Sequence, residues 1–209
     1  MTTLVIGANG QIGKQFCELA HGAGQPIRAM VRREEQAAWF AERGIDTVVA
    51  DLEGDFAHAF DGCSEAVFAA GSGPHTGPDK TLLIDLYGAI RAVDIAADKN
   101  LERFIMVSAM RAEDPMTAPE KLRPYMAAKF AADMHLRQSA LPHVILKPGR
   151  LTDEAATERF AASVDEAGDN AISRANVALA LVHAVGQPTL ANAEFTLLDG
   201  KRRVAEVMA

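Results

Sequence analysis

The chain has 209 residues, 49% of them hydrophobic and 23% charged, the balance of an ordinary globular domain with an ample core. Its formal net charge is −7 at pH 7, which argues against nucleic acid or an anionic membrane surface as the main partner. No apolar run reaches the length of a membrane span, and the opening MTTLVI lacks the charged start and long apolar stretch of a signal peptide, so the chain reads as cytoplasmic.

Strand and helix signals alternate from the first residues. TLVIGA (3–8) is a short β-branched run ending in glycine. GQIGKQFCELAHGAG (10–24) carries Ile12, Phe16, Leu19 and Ala20 at helical spacing, then glycines that stop it. PIRAMV (26–31) is the second strand, REEQAAWFAERG (33–44) the second helix and DTVVAD (46–51) the third strand. A short helical segment near Phe56 to Phe60 leads to the fourth strand, EAVFAAG (65–71). TLLIDLYGAIRAVDIAADKN (81–100) reads as a long helix with Leu82, Leu83, Leu86, Ile90 and Val93 on its apolar face. RFIMVSA (103–109), a helix around Tyr125, and HVILKPG (143–149) complete six strand–helix units. The strands are near-continuous apolar runs, as expected of a parallel sheet covered on both faces. This predicts an α/β, doubly wound Rossmann-type sheet in one domain over 1–209. About sixty residues follow Gly149, including a helix at 174–185 and a strand at 194–199; they suffice for a small lid on the substrate side.

The loop VIGANGQIG holds Gly7, Gly10 and Gly13 between the first strand and the first helix, with Ala8, Asn9, Gln11 and Ile12 between them. The chain there must turn sharply, let a pyrophosphate reach the backbone, and pack helix against strand, and each step favours a residue without Cβ. The free N–H groups of the helix start suit phosphates. At the end of the second strand, where an NAD site usually places an acid for the ribose 2′-hydroxyl, stand Arg32 and Arg33. A guanidinium clamps a 2′-phosphate, so the expected cofactor is NADP(H) ahead of NAD(H). Asp51 and Leu52 fall where an adenine rests; an acidic helix cap is the other reading of Asp51.

Tyr125 and Lys129 are one helical turn apart in RPYMAAKFAAD (123–133), beside a separate apolar stripe at Met126, Phe130 and Met134. They are either a proton-transfer device or a wet helix edge. The ordered set Gly7-x-x-Gly10-x-x-Gly13, Arg32, AAGSGPHTG, the strand ending at Ser108, Tyr125-x-x-x-Lys129 and LKPG resembles the short-chain dehydrogenase/reductase superfamily. More narrowly, the chain resembles its atypical, NAD(P)H-binding, epimerase-like members, similar to the bacterial YhfK/YwnB-type proteins. The resemblance implies about seven parallel strands, with Ala69, Ala70 and Gly71 beneath the adenosine ribose and pyrophosphate, and Pro148 and Gly149 near the nicotinamide. It implies that Tyr125 exchanges a proton, that Lys129 holds the nicotinamide ribose and lowers the tyrosine pKa, and that Ser108 polarises a carbonyl. A free tyrosine titrates near 10, so a neighbouring ammonium is the physical requirement. A register shift of one or two residues, onto Ala109 or Met110, would leave that serine role empty.

His75, in the polar loop 71–80, and Arg111 and Arg150 fall near the same crevice as substrate contacts or plain surface charge. The six histidines show no ligand spacing, and Cys17 and Cys63 no CxxC, so no metal and no disulfide is expected. The function expected is NADPH-dependent oxidoreductase or epimerase-like chemistry on a small carbonyl, quinone or flavin-like substrate, in a monomer or homodimer. A dinucleotide-binding redox sensor without chemistry is the alternative. The short C-terminal portion counts against a sugar-nucleotide substrate.

Overall fold

The computed structural model describes residues 1–73 and 75–209. The six apolar runs form β1 (Thr3–Ile6), β2 (Ile27–Val31), β3 (Asp46–Val49), β4 (Glu65–Phe68), β5 (Arg103–Val107) and β6 (His143–Pro148). Four more strands follow: β7 (Arg150–Thr152), β8 (Phe160–Ala161), β9 (Ala171–Ser173) and β10 (Ala193–Asp199). The main sheet runs β3-β2-β1-β4-β5-β6-β10-β8. Its first seven strands are parallel, and β8 adds antiparallel to β10 at the edge. β7 and β9 form a separate parallel pair. Every residue of β1, β4 and β5 is buried, as strands covered on both faces must be.

The helices are α1 (Gln11–Gly22), α2 (Glu34–Ala41), α3 (Pro78–Lys80), α4 (Ala89–Asp98), α5 (Arg123–Gln138), α6 (Val164–Ala167), α7 (Arg174–Val185) and α8 (Val204–Val207). On one face of the sheet Phe16, Cys17 and Ala20 of α1 pack with Ala178 and Leu181 of α7. On the other, Ala92, Val93 and Ala96 of α4 pack with Ala132 and Leu136 of α5. No helix among the described residues is long and apolar enough to cross a membrane. Strand order reverses at β1, between β2 and β4, so the chains leaving β1 and β4 diverge and open a crevice at the carboxyl edge.

Two helix faces differ from the sequence expectation. Between α3 and α4 the chain is π-helical over Thr81–Gly88. The inward set is Thr81, Ile84, Asp85 and Gly88, continued by Ala89, Ala92 and Val93 of α4. Leu82 and Leu83, expected on the core face, are 52% and 42% exposed. On α5 the inward face carries Ala128, Lys129, Ala132, Asp133 and Leu136, while Phe130 of the expected apolar stripe is exposed. The alternative of a wet edge at Lys129 is thereby removed.

The last sixty residues are woven into the main fold. β10 lies beside β6 and α7 packs on α1. The side chain of Asn176, fully buried, accepts from the Glu158 N–H and donates to Thr157 Oγ1 (2.7 Å) and Asp199 Oδ1 (2.6 Å). It fastens the 157–159 segment to the end of β10.

Candidate dinucleotide and proton-transfer site

The three glycines of the first loop meet three different demands. Gly7 sits at φ +88°, and a Cβ there would lie 2.5 Å from the Ala70 nitrogen, so the end of β4 passes against it. A Cβ on Gly13 would lie 2.2 Å from the Gly7 carbonyl oxygen, so Gly13 sets how closely α1 approaches the loop. Gly10 is exposed, and its only near neighbour would be Gly7 O at 3.2 Å. The space beside Gly10 therefore faces outward, where a ligand backbone fits. Gly10 also caps α1 without any side-chain hydrogen bond, and the first turn of α1 holds no acid. The helix start thus presents open N–H donors and its positive dipole end, the features a pyrophosphate requires.

Around this loop the parallel strands deliver their following residues to one edge. Arg32 and Arg33 are exposed at the end of β2, and among the described residues neither makes an ion pair. Glu34 and Glu35 open α2 instead. Leu52 is buried in the core under Gly88, and the Asp51 carboxylate accepts from its own loop at Glu53 N–H, 3.0 Å. Ala69 and Ala70 lie against Gly7, and Gly71 against Asp85. Pro148 is buried. Gly149 is explained by packing, since a Cβ would strike Asn170 O at 2.2 Å. His75 and Arg111 are exposed, Arg111 with a left-handed φ of +65°, and Arg150 lies 3.5 Å from Asp169. Among the described residues no three His, Cys, Asp or Glu side chains come together as a metal group. A second hollow, of about 180 Å³, opens at the opposite edge beside Glu65 and Arg103. Arg103 Nε donates there to Glu65 Oε2 at 2.6 Å, and Thr3 Oγ1 donates to Oε1 at 2.8 Å, so these charges are consumed by the fold.

Under the crevice lies a buried charged cluster. Lys129 is 3% exposed; its ammonium donates to Val107 O at the end of β5 (3.1 Å) and sits 3.6 Å from Asp85 Oδ1. It is 5.7 Å from the Tyr125 ring centroid. Asp85 is 1% exposed and its Oδ2 accepts from the Ser72 N–H at 2.9 Å. Ser108 is buried and donates to Asp133 Oδ2 at 2.6 Å, which turns its hydroxyl toward α5. Among the described residues Asp85 Oδ1 and Asp133 Oδ1 have no hydrogen-bond partner. Burial raises the Asp133 carboxyl above its ordinary range, more than the Ser108 hydrogen bond and the Lys129 charge lower it. Burial likewise raises the Tyr125 phenol; Lys129 pulls it down, while Asp85 and Asp133 push it up. The resemblance implies a tyrosine lowered by its lysine, and in the protein without a ligand the net direction is upward.

Residues 7–188 match the family described as NAD(P)H-binding. The chain belongs to that family. Over its whole length it is 42% identical to a Bacillus subtilis member called an uncharacterized sugar epimerase, YhfK, covering 99% of that protein. A Bacillus halodurans structure, named provisionally as an NAD-dependent epimerase/dehydratase, superimposes with a TM-score of 0.94 at 42% identity, covering all of this chain and 98% of the other. The Lactococcus lactis oxidoreductase ylbE shares the fold, with a TM-score of 0.89 at 24% identity over 100% and 95% of the two chains. Within this NAD(P)H-binding chain, the residue that sequence reasoning passed over is Asp85. An acid inside TLLIDLYG was the available signal, because a charge on an apolar helix face needs a partner.

Proposed function

We propose that this family member binds NADPH along the carboxyl edge and reduces a small carbonyl, quinone or flavin-like substrate, with Tyr125 as proton donor. The observation that carries the reading is the pair Tyr125 and Lys129 one turn apart on α5, with Lys129 buried and held by its hydrogen bond to Val107 O at the end of β5. The open N–H groups at Gly10 suit the pyrophosphate, and the exposed Arg32 and Arg33 suit a 2′-phosphate. When bound, the nicotinamide supplies a hydride. Tyr125 gives its phenolic proton to the substrate oxygen as the carbon gains that hydride, and solvent returns a proton to the tyrosinate. Lys129 steadies the tyrosinate while it exists and offers N–H donors to the ribose. Epimerase-like chemistry would run the same proton step in both directions; the raised phenol keeps Tyr125 protonated, the form that reduction requires.

The Ser108–Asp133 hydrogen bond supports a second reading, a dinucleotide-binding redox sensor, because that hydroxyl is engaged away from the crevice. Two titrations separate the readings. Calorimetry should give tighter binding of NADPH than NADH, with the preference levelled or reversed in Arg32→Asp, a change of about tenfold or more. Equal affinities in the parent would contradict the NADPH assignment. NADPH oxidation followed by absorbance against quinones, flavins, aldehydes and ketones should find a substrate. Tight NADPH binding with no reactive substrate would favour the sensor.

A further inference from the structure

We propose that Asp85 is a positioning residue of the proton-transfer site: its buried carboxylate orients and neutralises the Lys129 ammonium and so keeps Tyr125 a phenol, ready to give a proton. This rests on the reading that Tyr125 and Lys129 form that site. Asp85 is 1% exposed inside an apolar helix face, and one of its oxygens has no hydrogen-bond donor among the described residues. A carboxylate in such a place is costly unless a cation faces it. The facing cation is Lys129, 3.6 Å away and itself 3% exposed. An asparagine would accept the Ser72 N–H equally well, so that hydrogen bond does not explain a charge.

The backbone points the same way. Asp85 lies on the inward face of the π-helical Thr81–Gly88 stretch, with Thr81, Ile84 and Gly88. Gly71 leaves room for the carboxylate, since a Cβ there would lie 3.0 Å from Asp85 Oδ1. Asp85 therefore joins the loop beside the crevice, through Ser72, to the lysine on α5. The charged groups facing Tyr125 are Lys129, Asp85 and Asp133. Lys129 alone would favour the tyrosinate; burial of the phenol opposes it first, and the two carboxylates add to that opposition. The result is an acid that holds its proton until a substrate oxygen accepts it.

The chain has two tyrosines, Tyr87 and Tyr125, and Tyr87 is 55% exposed, so Tyr87→Phe leaves one reporter. In that background, with tyrosine carrying carbon-13 at Cζ, the Tyr125 resonance is followed against pH in the protein without cofactor. Asp85→Asn should lower the midpoint by about one pH unit or more, Lys129→Met should raise it, and the double variant should fall between the two. A midpoint that Asp85→Asn leaves in place, or raises, overturns the proposal. So does an Asp85→Asn protein that has lost the parent's far-ultraviolet circular dichroism, for then Asp85 serves the fold. In turnover, reduction needs the phenol, so Asp85→Asn should move the alkaline fall in rate to lower pH by the same interval. Because the resonance is read without substrate, its outcome stands whether or not Tyr125→Phe abolishes turnover.

Discussion

At the scale of single residues, Gly7 and Gly13 answer to packing, while Gly10 is exposed. Gly13 has backbone 2.2 Å from where a Cβ would sit, so Gly13→Ala should cost about 1–3 kcal/mol of stability and lower Tm. Gly10 is exposed, with Gly7 O 3.2 Å from where a Cβ would sit, and Gly10→Val should cost less stability than Gly13→Ala while weakening NADPH at least about tenfold. Calorimetry and thermal melts on the two variants check this. A Gly10→Val protein that binds normally would place the phosphate site elsewhere. The glycine turn and the Tyr125–Lys129 spacing were legible because each is a short-range demand on residue type. Asp85 was not, because its meaning depends on Lys129, which lies forty-four positions on and meets it only across packed helices. The Ser108–Asp133 hydrogen bond was hidden for the same reason.

At the scale of elements, strands were read more surely than helix faces. A fully buried strand is an apolar run whatever its neighbours, and β1, β4 and β5 are such runs. A helix face depends on which side of the element meets the sheet, and Thr81, Ile84, Asp85 and Gly88 face inward in place of the expected Leu82 and Leu83. The seam between α5 and the sheet edge offers a test by pH. Glu194 of β10 accepts from Arg137 Nε at 2.5 Å and Nη2 at 2.9 Å, and lies 2.7 Å from Lys147. The Arg137 hydrogen bond, with Lys147, holds its carboxyl down at about 2, well below the ordinary glutamate value of 4.5. A depressed carboxylate stabilises the fold above its unfolded pKa and loses that contribution as pH falls toward the folded one. Glu194→Gln should therefore be less stable by about 1 kcal/mol near neutral pH, discounted for partial exposure. The gap should close between pH 4.5 and 2 in denaturant titrations. A gap that persists unchanged at pH 2 would mean the network contributes through packing.

At the scale of the whole molecule, the parallel sheet gathers the carboxyl ends of β1, β2, β4, β5 and β6 on one edge, and chemistry-bearing residues spread over more than a hundred positions meet there. The fold class followed from alternating elements. The role of the last sixty residues did not, because a short strand at 194–199 carries no mark of which neighbour it will join. It became the seventh parallel strand, with the Asn176 network tying the 157–159 segment to its end. The account stands or falls on whether this edge moves a proton. Once the panel yields a reducible substrate, NADPH oxidation by the parent is compared with Tyr125→Phe at saturating NADPH. The account predicts nearly unchanged NADPH affinity and a fall in kcat of about a hundredfold or more, the scale of a lost general acid. Turnover of Tyr125→Phe at the parent rate would contradict it.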